Sequence, residues 1–191
     1  EAENKKILQQ RATLEIARMM LEYNEPLTVK QKSDIKKILT SYKLPTTIDV
    51  LSLSQALRRV DIIPKELALM QAANESAWGT SRFARIGLNF FGQWCYKKGC
   101  GMVPRRRADE AAHEVTAFKS VRAAVSSYFK NINTHAAYKD LRSIRADLRR
   151  QQKPIEATVL TQGLLSYSER REAYIEELNT MINQNRAYFD E

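Results

Sequence analysis

Cysteine and histidine are scarce in this chain, and their scarcity limits the metal sites that it can form. The 191 residues contain two cysteines and two histidines, whereas a structural zinc site needs four ligands, and no ligand pair is evident here. Cys95 and Cys100 bracket Tyr-Lys-Lys-Gly, a spacing that would close a small disulfide loop in an oxidising compartment. We expect no metal and no cofactor, with zinc as the less favoured alternative to the disulfide.

Long apolar runs, internal repeats and low-complexity tracts are also missing from the sequence. No apolar run approaches the roughly 18 to 20 residues of a membrane-spanning helix. Hydrophobic residues make up 43% of the chain and charged residues 28%, which is ordinary for a folded protein. We expect one globular unit without a transmembrane segment, acting as a monomer.

Positive charge is in excess over negative charge. Lysine and arginine total 31 against 22 acidic residues, a net charge of +9 that favours an anionic partner such as nucleic acid, a membrane surface or a bacterial wall polymer. A solvated basic surface without a specific partner explains the same excess. The basic segment Arg142 to Lys153 has no adjacent aromatic residue for base stacking. We therefore interpret it as a solvated helix face and expect no nucleic-acid partner.

Apolar residues at helical spacing predict a mostly helical chain. The predicted helices run from about Asn4 to Glu22, from a capping box at Thr28 to Leu44, from Ile48 to Val60, from Pro64 to a stop at Gly79 with Glu75 in the last turn, and from Val121 to Phe129. Three more run from a cap at Asn133 or Thr134 to Leu148, from Pro154 to Leu165, and from a capping box at Ser166 and Glu169 onward, with Tyr174 among the core residues of the last. The helical period is lost from Cys95 to Lys119, where Val103, Val115 and Phe118 predict a small hairpin lobe.

The first 60 residues contain no cluster of chemically active side chains. We interpret residues 1–60 as a helical extension packed on the core, and residues 61–191 as the functional domain.

Glu75 is a carboxylate near the end of an otherwise uncharged helical turn. No lysine or arginine lies within four residues of it, Trp78 follows three residues later, and Gly79 is suited to end the helix in a left-handed conformation. We expect burial and the helix dipole to raise the pKa of this carboxyl, which is how a general acid is made at neutral pH. A helix-end residue satisfied by a cap or an ion pair is the alternative interpretation.

An aromatic segment bounded by glycines follows this helix. It contains Asn89, Phe90, Phe91, Gly92 and Trp94. Aromatic rings with a few polar groups suit the apolar faces and hydroxyl edges of a sugar, although packing in the core explains the same residues equally well.

Two sequence motifs occur in close succession and carry a resemblance to a known family. They are Ala72-Ala-Asn-Glu75-Ser-Ala-Trp78-Gly79-Thr-Ser-Arg-Phe83 and Gly87-Leu-Asn89-Phe90-Phe91-Gly92, accompanied by Gln-Trp94-Cys95, Cys100-Gly, His113-Glu-Val-x-x-Phe118 and Asn131-Ile-Asn133-Thr-His135-x-Ala-Tyr138. Together they resemble the glucosaminidase family of flagellar rod-cap hydrolases and bacterial autolysins, in particular its Bax-type branch. The resemblance covers about Ile62 to Asn183.

The resemblance implies a lysozyme-like, mostly helical α+β fold with a small β-hairpin lobe and, here, an N-terminal helical extension. It also implies cleavage of the β-1,4 bond after N-acetylglucosamine. Carried over by position, Glu75 matches the general acid and Tyr138 a tyrosine of the cleft. Asn89 and the segment Phe90 to Gly92 match the substrate wall, and we expect Trp78 and Trp94 to bind substrate with them.

The sequence departs from the family where the second carboxylate is expected. Many members carry a Thr-Thr-Glu-like segment in the small lobe, and the nearest equivalent here is Met102-Val-Pro-Arg-Arg. Glu114 is the first substitute, followed by Glu110 and Asp109; a surface or ion-paired role for Glu114 is the competing interpretation. Attack by the acetamido oxygen of the substrate would need mainly Glu75 and polar support such as Tyr138.

These observations lead to an expected function. We expect a glycoside hydrolase, an endo-β-N-acetylglucosaminidase directed at peptidoglycan or a related glycan and exported to the bacterial periplasm or cell envelope. The alternatives are a lytic transglycosylase, a nonhydrolytic wall-binding module and, less favoured, a nucleic-acid-binding protein.

Overall fold

The computed structural model describes residues 1–104, 113–165 and 170–189. The nine α-helices of these residues are α1 (Ala2–Glu22), α2 (Val29–Ser41), α3 (Val50–Arg59), α4 (Lys65–Glu75), α5 (Arg82–Gly87), α6 (Val121–Thr134), α7 (Lys139–Arg150), α8 (Ala157–Leu160) and α9 (Glu172–Gln184). Short 3-10 helices span Ala136–Tyr138, Thr161–Leu164 and Arg186–Tyr188. The predicted mostly helical α+β class is confirmed. Within the described ranges, no helix has the length and apolar character needed to span a membrane.

Side-chain caps explain several helix starts. The predicted capping box at Thr28 is present, with the Thr28 side chain and Gln31 each accepting a backbone N–H of the other. The prediction that Asn133 or Thr134 caps the next helix is wrong, because α6 continues through Thr134. The His135 ring caps the short 3-10 helix that follows, by accepting the Ala137 N–H. The predicted capping box at Ser166 and Glu169 lies outside the described residues.

Four helices end in the same left-handed turn, and none of the four uses glycine for it. The left-handed residues are Asn24 after α1, Lys43 after α2, Ala77 after α4 and Gln152 after α7. In α4 the Trp78 N–H reaches the Ala73 carbonyl at 2.7 Å and the Ala77 N–H reaches that of Asn74 at 3.3 Å, which is the Schellman pattern. The chain thus leaves α4 before Gly79, the residue that we predicted to end it.

The predicted hairpin lobe is a small three-stranded antiparallel sheet. Its strands β1 (Trp94–Cys95), β2 (Gly101–Met102) and β3 (Glu114–Thr116) lie in the order β1-β3-β2. Val115 lies on the central strand as expected, whereas Val103 and Phe118 lie just outside the strands. Gly101 is required at its position, because a Cβ there would lie 2.0 Å from the Val115 carbonyl oxygen.

The first three helices share one core with the rest of the described chain. A single cluster of buried side chains includes Leu14, Ile35 and Leu53 from α1 to α3 together with Leu67 and Leu141 from α4 and α7. The N-terminal helices are therefore packed against the helices that carry the later motifs. The division at residue 60 stays a prediction.

Helix α7 does not present all its arginines to solvent, which corrects the interpretation of its basic face. Arg142 is 7% exposed and Arg145 is fully buried. Burial lowers the pKa of Arg145 to about 10, and nearby Asp61 partly opposes that shift. The Arg145 guanidinium donates hydrogen bonds to the carbonyls of Arg58, Arg59, Asp61 and Ile62 and to the side chain of Asn133. It therefore ties α7 to the end of α3 and to the segment that follows it.

Candidate active site

Glu75 is the last residue of α4, and its side chain is partly buried. The helix is held in the core by Leu67 and Met70, which are 0% and 6% exposed. Beyond Glu75, Ala77 and Trp78 have left-handed φ angles of 50° and 55°. The prediction that Glu75 and Trp78 lie on neighbouring positions of one helix is therefore wrong, because the helix ends before Trp78. The Trp78 side chain is 63% exposed.

Tyr174 of α9 contacts the Glu75 carboxyl. Its hydroxyl donates a hydrogen bond to Glu75 Oε1 at 3.0 Å. Tyr174 is itself 3% exposed, and its hydroxyl oxygen accepts the side-chain N–H of Gln71 at 3.1 Å. The sequence identified Tyr174 only as a core residue, because apolar spacing shows that a side chain points inward but not that its hydroxyl reaches a carboxyl on another helix.

The aromatic segment meets Glu75 at Gly92. A Cβ on Gly92, whose φ is +61°, would lie 3.3 Å from Glu75 Oε2. On the other side of the turn, a Cβ on Gly79 would lie 3.9 Å from the Phe90 ring. Phe91 is 6% exposed and stacks on Tyr128 with ring centroids 3.9 Å apart. The end of α4 and the predicted wall are therefore in contact.

Asn89 shapes this segment from inside. It is 2% exposed, and its amide donates to the carbonyls of Gln93 and Thr116 at 2.8 and 2.9 Å. Its side-chain oxygen accepts the backbone N–H groups of Phe91 and Gln93. These contacts fix the backbone that carries the aromatic rings, so a direct contact of Asn89 with substrate stays a prediction.

Trp94 offers an exposed aromatic face beside the small sheet. The side chain is 57% exposed and stacks on His113, with ring centroids 4.1 Å apart and planes inclined by 13°. An exposed indole held flat by a neighbouring ring is suited to the apolar face of a sugar. Trp78 and Trp94 both remain predicted substrate-binding residues.

Glu114 lies beneath the loop that joins β1 to β2. The structure joins Cys95 to Cys100 by a disulfide, and Glu114 accepts the backbone N–H groups of Gly99 and Gly101 at 2.9 and 2.8 Å. At 5% exposure it is not a surface residue. Although the two sulfurs and a Glu114 oxygen lie within 4.8 Å of one another, disulfide-bonded sulfurs do not bind a metal as thiolates do.

The other predicted catalytic groups are not brought together by a described contact with Glu75. Tyr138 ends a 3-10 helix, is 3% exposed, and meets the His135 ring edge to face at 6.5 Å. Its role in the site stays a prediction. Asp109 and Glu110, the further candidates for the second acid, lie outside the described residues.

Comparison with known proteins agrees with the resemblance in the motifs. The sequence model of the Glucosaminidase family, described as mannosyl-glycoprotein endo-β-N-acetylglucosaminidase, matches residues 51–187. Protein Bax of Escherichia coli K12 is 33% identical over 166 residues, which are 86% of this chain but only 59% of the length of Bax. No solved structure gives a significant match.

The two matches overlap the candidate site and extend beyond it. The longer match to Bax also covers part of the helical segment before Leu51, where the family match begins. The family name indicates a glycoside hydrolase that acts on glycans. With the family match covering most of its length, the chain belongs to the glucosaminidase family.

Proposed function

We propose that this protein is an endo-β-N-acetylglucosaminidase that cleaves peptidoglycan, or a related glycan, at the β-1,4 bond after N-acetylglucosamine. The observation that carries the proposal is the position of Glu75, which has Tyr174 at one carboxyl oxygen and Gly92 of the aromatic segment beside the other. A partly buried carboxyl next to an aromatic segment suits a general acid that acts on a sugar substrate.

In the proposed reaction, Glu75 protonates the glycosidic oxygen as the bond to the leaving sugar breaks. The Tyr174 hydroxyl holds Oε1, so that the carboxyl keeps one orientation relative to the wall. The exposed faces of Trp94 and Trp78 would bind the sugar chain, and Asn89 would keep the wall in shape. The net charge of +9 suits an anionic wall polymer. We also propose that the protein is exported to the periplasm or cell envelope and acts as a monomer.

The second half of the reaction has two candidate routes. Glu114 would supply a second carboxylate. Each of its oxygens already accepts a backbone N–H, however, and these hydrogen bonds make the carboxylate a weaker base and a weaker nucleophile. The acetamido oxygen of the substrate would serve instead, with polar support from a side chain such as Tyr138. The contacts of Glu114 favour this second route.

Glu75→Gln tests the proposal directly. We expect it to lower the release of reducing ends from purified peptidoglycan at least about a thousandfold, because an amide cannot protonate the leaving oxygen. Glu66→Gln is the matched control, since it removes the same charge from the first turn of the same helix and should leave activity unchanged. Equal activity of Glu75→Gln and wild type would remove Glu75 from the mechanism.

Mass spectrometry of the peptidoglycan digest distinguishes hydrolysis from lytic transglycosylation. Reducing N-acetylglucosamine ends are expected, whereas anhydro-muramyl ends would identify a lytic transglycosylase. Binding to peptidoglycan without turnover would identify a wall-binding module. Anomeric analysis of the fresh product should show retention if the acetamido group attacks, and inversion would require a second carboxylate acting on water.

A further inference from the structure

A row of three buried hydrogen bonds leads to the Glu75 carboxyl. Tyr128 donates its hydroxyl proton to Gln71 Oε1 at 2.6 Å, Gln71 Nε2 donates to the Tyr174 oxygen at 3.1 Å, and Tyr174 donates to Glu75 Oε1 at 3.0 Å. Gln71 is 1% exposed, and both tyrosines are 3% exposed. The row joins α6, α4 and α9 at the level of the candidate site.

The Gln71 amide is oriented with its oxygen toward Tyr128 and its nitrogen toward Tyr174, and this orientation gives the row a direction. A carbonyl oxygen only accepts, so the Tyr128 proton must point toward Gln71, and an amide N–H only donates, so it occupies a lone pair of the Tyr174 oxygen. The single hydroxyl proton of Tyr174 is then the one that points at Glu75. Reversing any one bond would set two donors or two acceptors against each other in a buried place, which is costly.

We propose that Gln71 is a positioning residue for the reaction: it directs the Tyr174 proton onto Glu75 Oε1, and so assigns the transferable acid proton to Oε2. Because this inference rests on the proposed function of Glu75, its test must be separable from the test of that function.

The position of Gly92 supports the assignment. Glu75 Oε2 lies 3.3 Å from the point that a Cβ on Gly92 would occupy, so the oxygen that carries the proton faces the aromatic segment. The far end of the row is tied to the same segment, because the Tyr128 ring stacks on Phe91. Gln71 therefore couples the orientation of the acid to the backbone that would hold the sugar.

A double-mutant cycle tests whether Gln71 acts through Tyr174. Gln71→Met keeps the unbranched side chain but removes the donor and the acceptor, and we expect kcat to fall about tenfold at unchanged KM, the size of one lost hydrogen bond. Tyr174→Phe should lower kcat at least as much. The double variant should be no slower than Tyr174→Phe within about twofold, because the Gln71 effect passes through Tyr174.

A matched substitution controls for lost stability. Gln10 accepts a hydrogen bond from Tyr42 at 2.9 Å in the N-terminal part of the core, without a described contact to Glu75. Gln10→Met should lower the melting temperature but leave kcat unchanged. Additive losses in the cycle, or equal kcat for Gln71→Met and wild type, would show that Gln71 only packs the core.

A second readout needs no turnover. The carbon-13 signal of the Glu75 carboxyl, assigned by its loss in Glu75→Gln, can be followed against pH. A proton donated to the carboxylate favours its charged form, so the titration midpoint should rise in Gln71→Met and in Tyr174→Phe by similar amounts. An unmoved midpoint in Gln71→Met overturns the inference whether or not the glycan is cleaved. If Glu75→Gln loses activity while Gln71→Met keeps the wild-type kcat and titration midpoint, the proposed function stands and only the role of Gln71 is removed.

Discussion

Two acidic side chains, Asp61 before helix α4 and Glu75 at its end, have different partners. Asp61, before the helix, is 1% exposed and pairs with the guanidinium groups of Arg11 at 3.1 Å and Arg149 at 2.8 Å. Glu75, at the end of the helix, is partly buried and accepts a hydrogen bond from the neutral phenol of Tyr174 at 3.0 Å. One described carboxylate is thus enclosed by cations, and the other is positioned by a hydroxyl.

The difference indicates separate roles. Asp61 pairs with guanidinium groups from α1 and α7 and so connects the N-terminal helices to the rest of the core. Its charge therefore holds helices together. The Tyr174 phenol orients the Glu75 carboxyl by a hydrogen bond and itself carries no charge, which suits a group that exchanges a proton. We propose that the first arrangement serves stability and the second serves chemistry.

Asp61→Asn gives the largest expected effect on stability and the sharpest test of this comparison. Removing one partner of a buried ion pair leaves the other charge uncompensated, and we expect the free energy of unfolding to fall by about 3 kcal/mol. The lower end of the usual range applies because the Arg149 side chain is 38% exposed. Urea denaturation measures the loss. Activity at a temperature where the variant is folded should stay near that of wild type.

A surface carboxylate on α7 supplies the control for Asp61. Asp147 pairs with Arg150 at 2.9 Å, with side chains 53% and 75% exposed. Asp147→Asn should therefore change stability by less than about 1 kcal/mol. A loss of activity in Asp61→Asn as large as that of Glu75→Gln would contradict the division of roles between Asp61 and Glu75.

The sequence predicted the core face of α4 and the position of Glu75 in its last turn, but not where the helix ends. Local patterns were sufficient for the capping box at Thr28 and for the core face of the helix, because those depend on residues a few positions apart. The left-handed turn at Ala77, which ends α4 after Glu75, could not be predicted from residue preferences. Glycine is the residue favoured at a left-handed position, and Gly79 was available two residues later.

Contacts between distant segments account for the other differences. Motif spacing led to Glu75 and Gly92, which the structure brings together. It did not lead to Tyr174, which is far along the chain and whose apolar neighbours indicate only a core position. The burial of Arg145 was missed for the same reason, because most of its partners are backbone carbonyl groups of another segment, which leave no pattern of side chains in the sequence.

Glu114→Gln tests whether the charge of a carboxylate's partners is enough to distinguish a structural role, as at Asp61, from a chemical role, as at Glu75. Glu114 also has neutral donors, the N–H groups of Gly99 and Gly101, yet its contacts indicate that it supports the disulfide loop. In the variant an amide N–H would face a backbone N–H, so we expect stability to fall by about 1 to 3 kcal/mol. Thermal unfolding measures this effect. A thousandfold loss of activity at unchanged stability would instead identify Glu114 as the second acid.

The smallest expected effect concerns the strained turn that follows Glu75. Ala77 has a φ of 50°, a conformation that costs a residue with a Cβ about 1 kcal/mol. Part of the gain from glycine is offset by the greater freedom of the unfolded chain, so Ala77→Gly should stabilise the protein by about 0.5 kcal/mol. Lys43→Gly is a matched control, because Lys43 has a φ of 55° in the same kind of turn after α2.

The two glycine variants should gain similar stability but differ in activity. In Ala77→Gly the turn that fixes the last residue of α4 becomes more flexible, so the Glu75 carboxyl spends less time in its productive orientation, and we expect kcat to fall about two- to threefold. Lys43→Gly should keep the wild-type kcat. Equal kcat in the two variants would mean that Tyr174, and not the strained backbone, holds the acid in place.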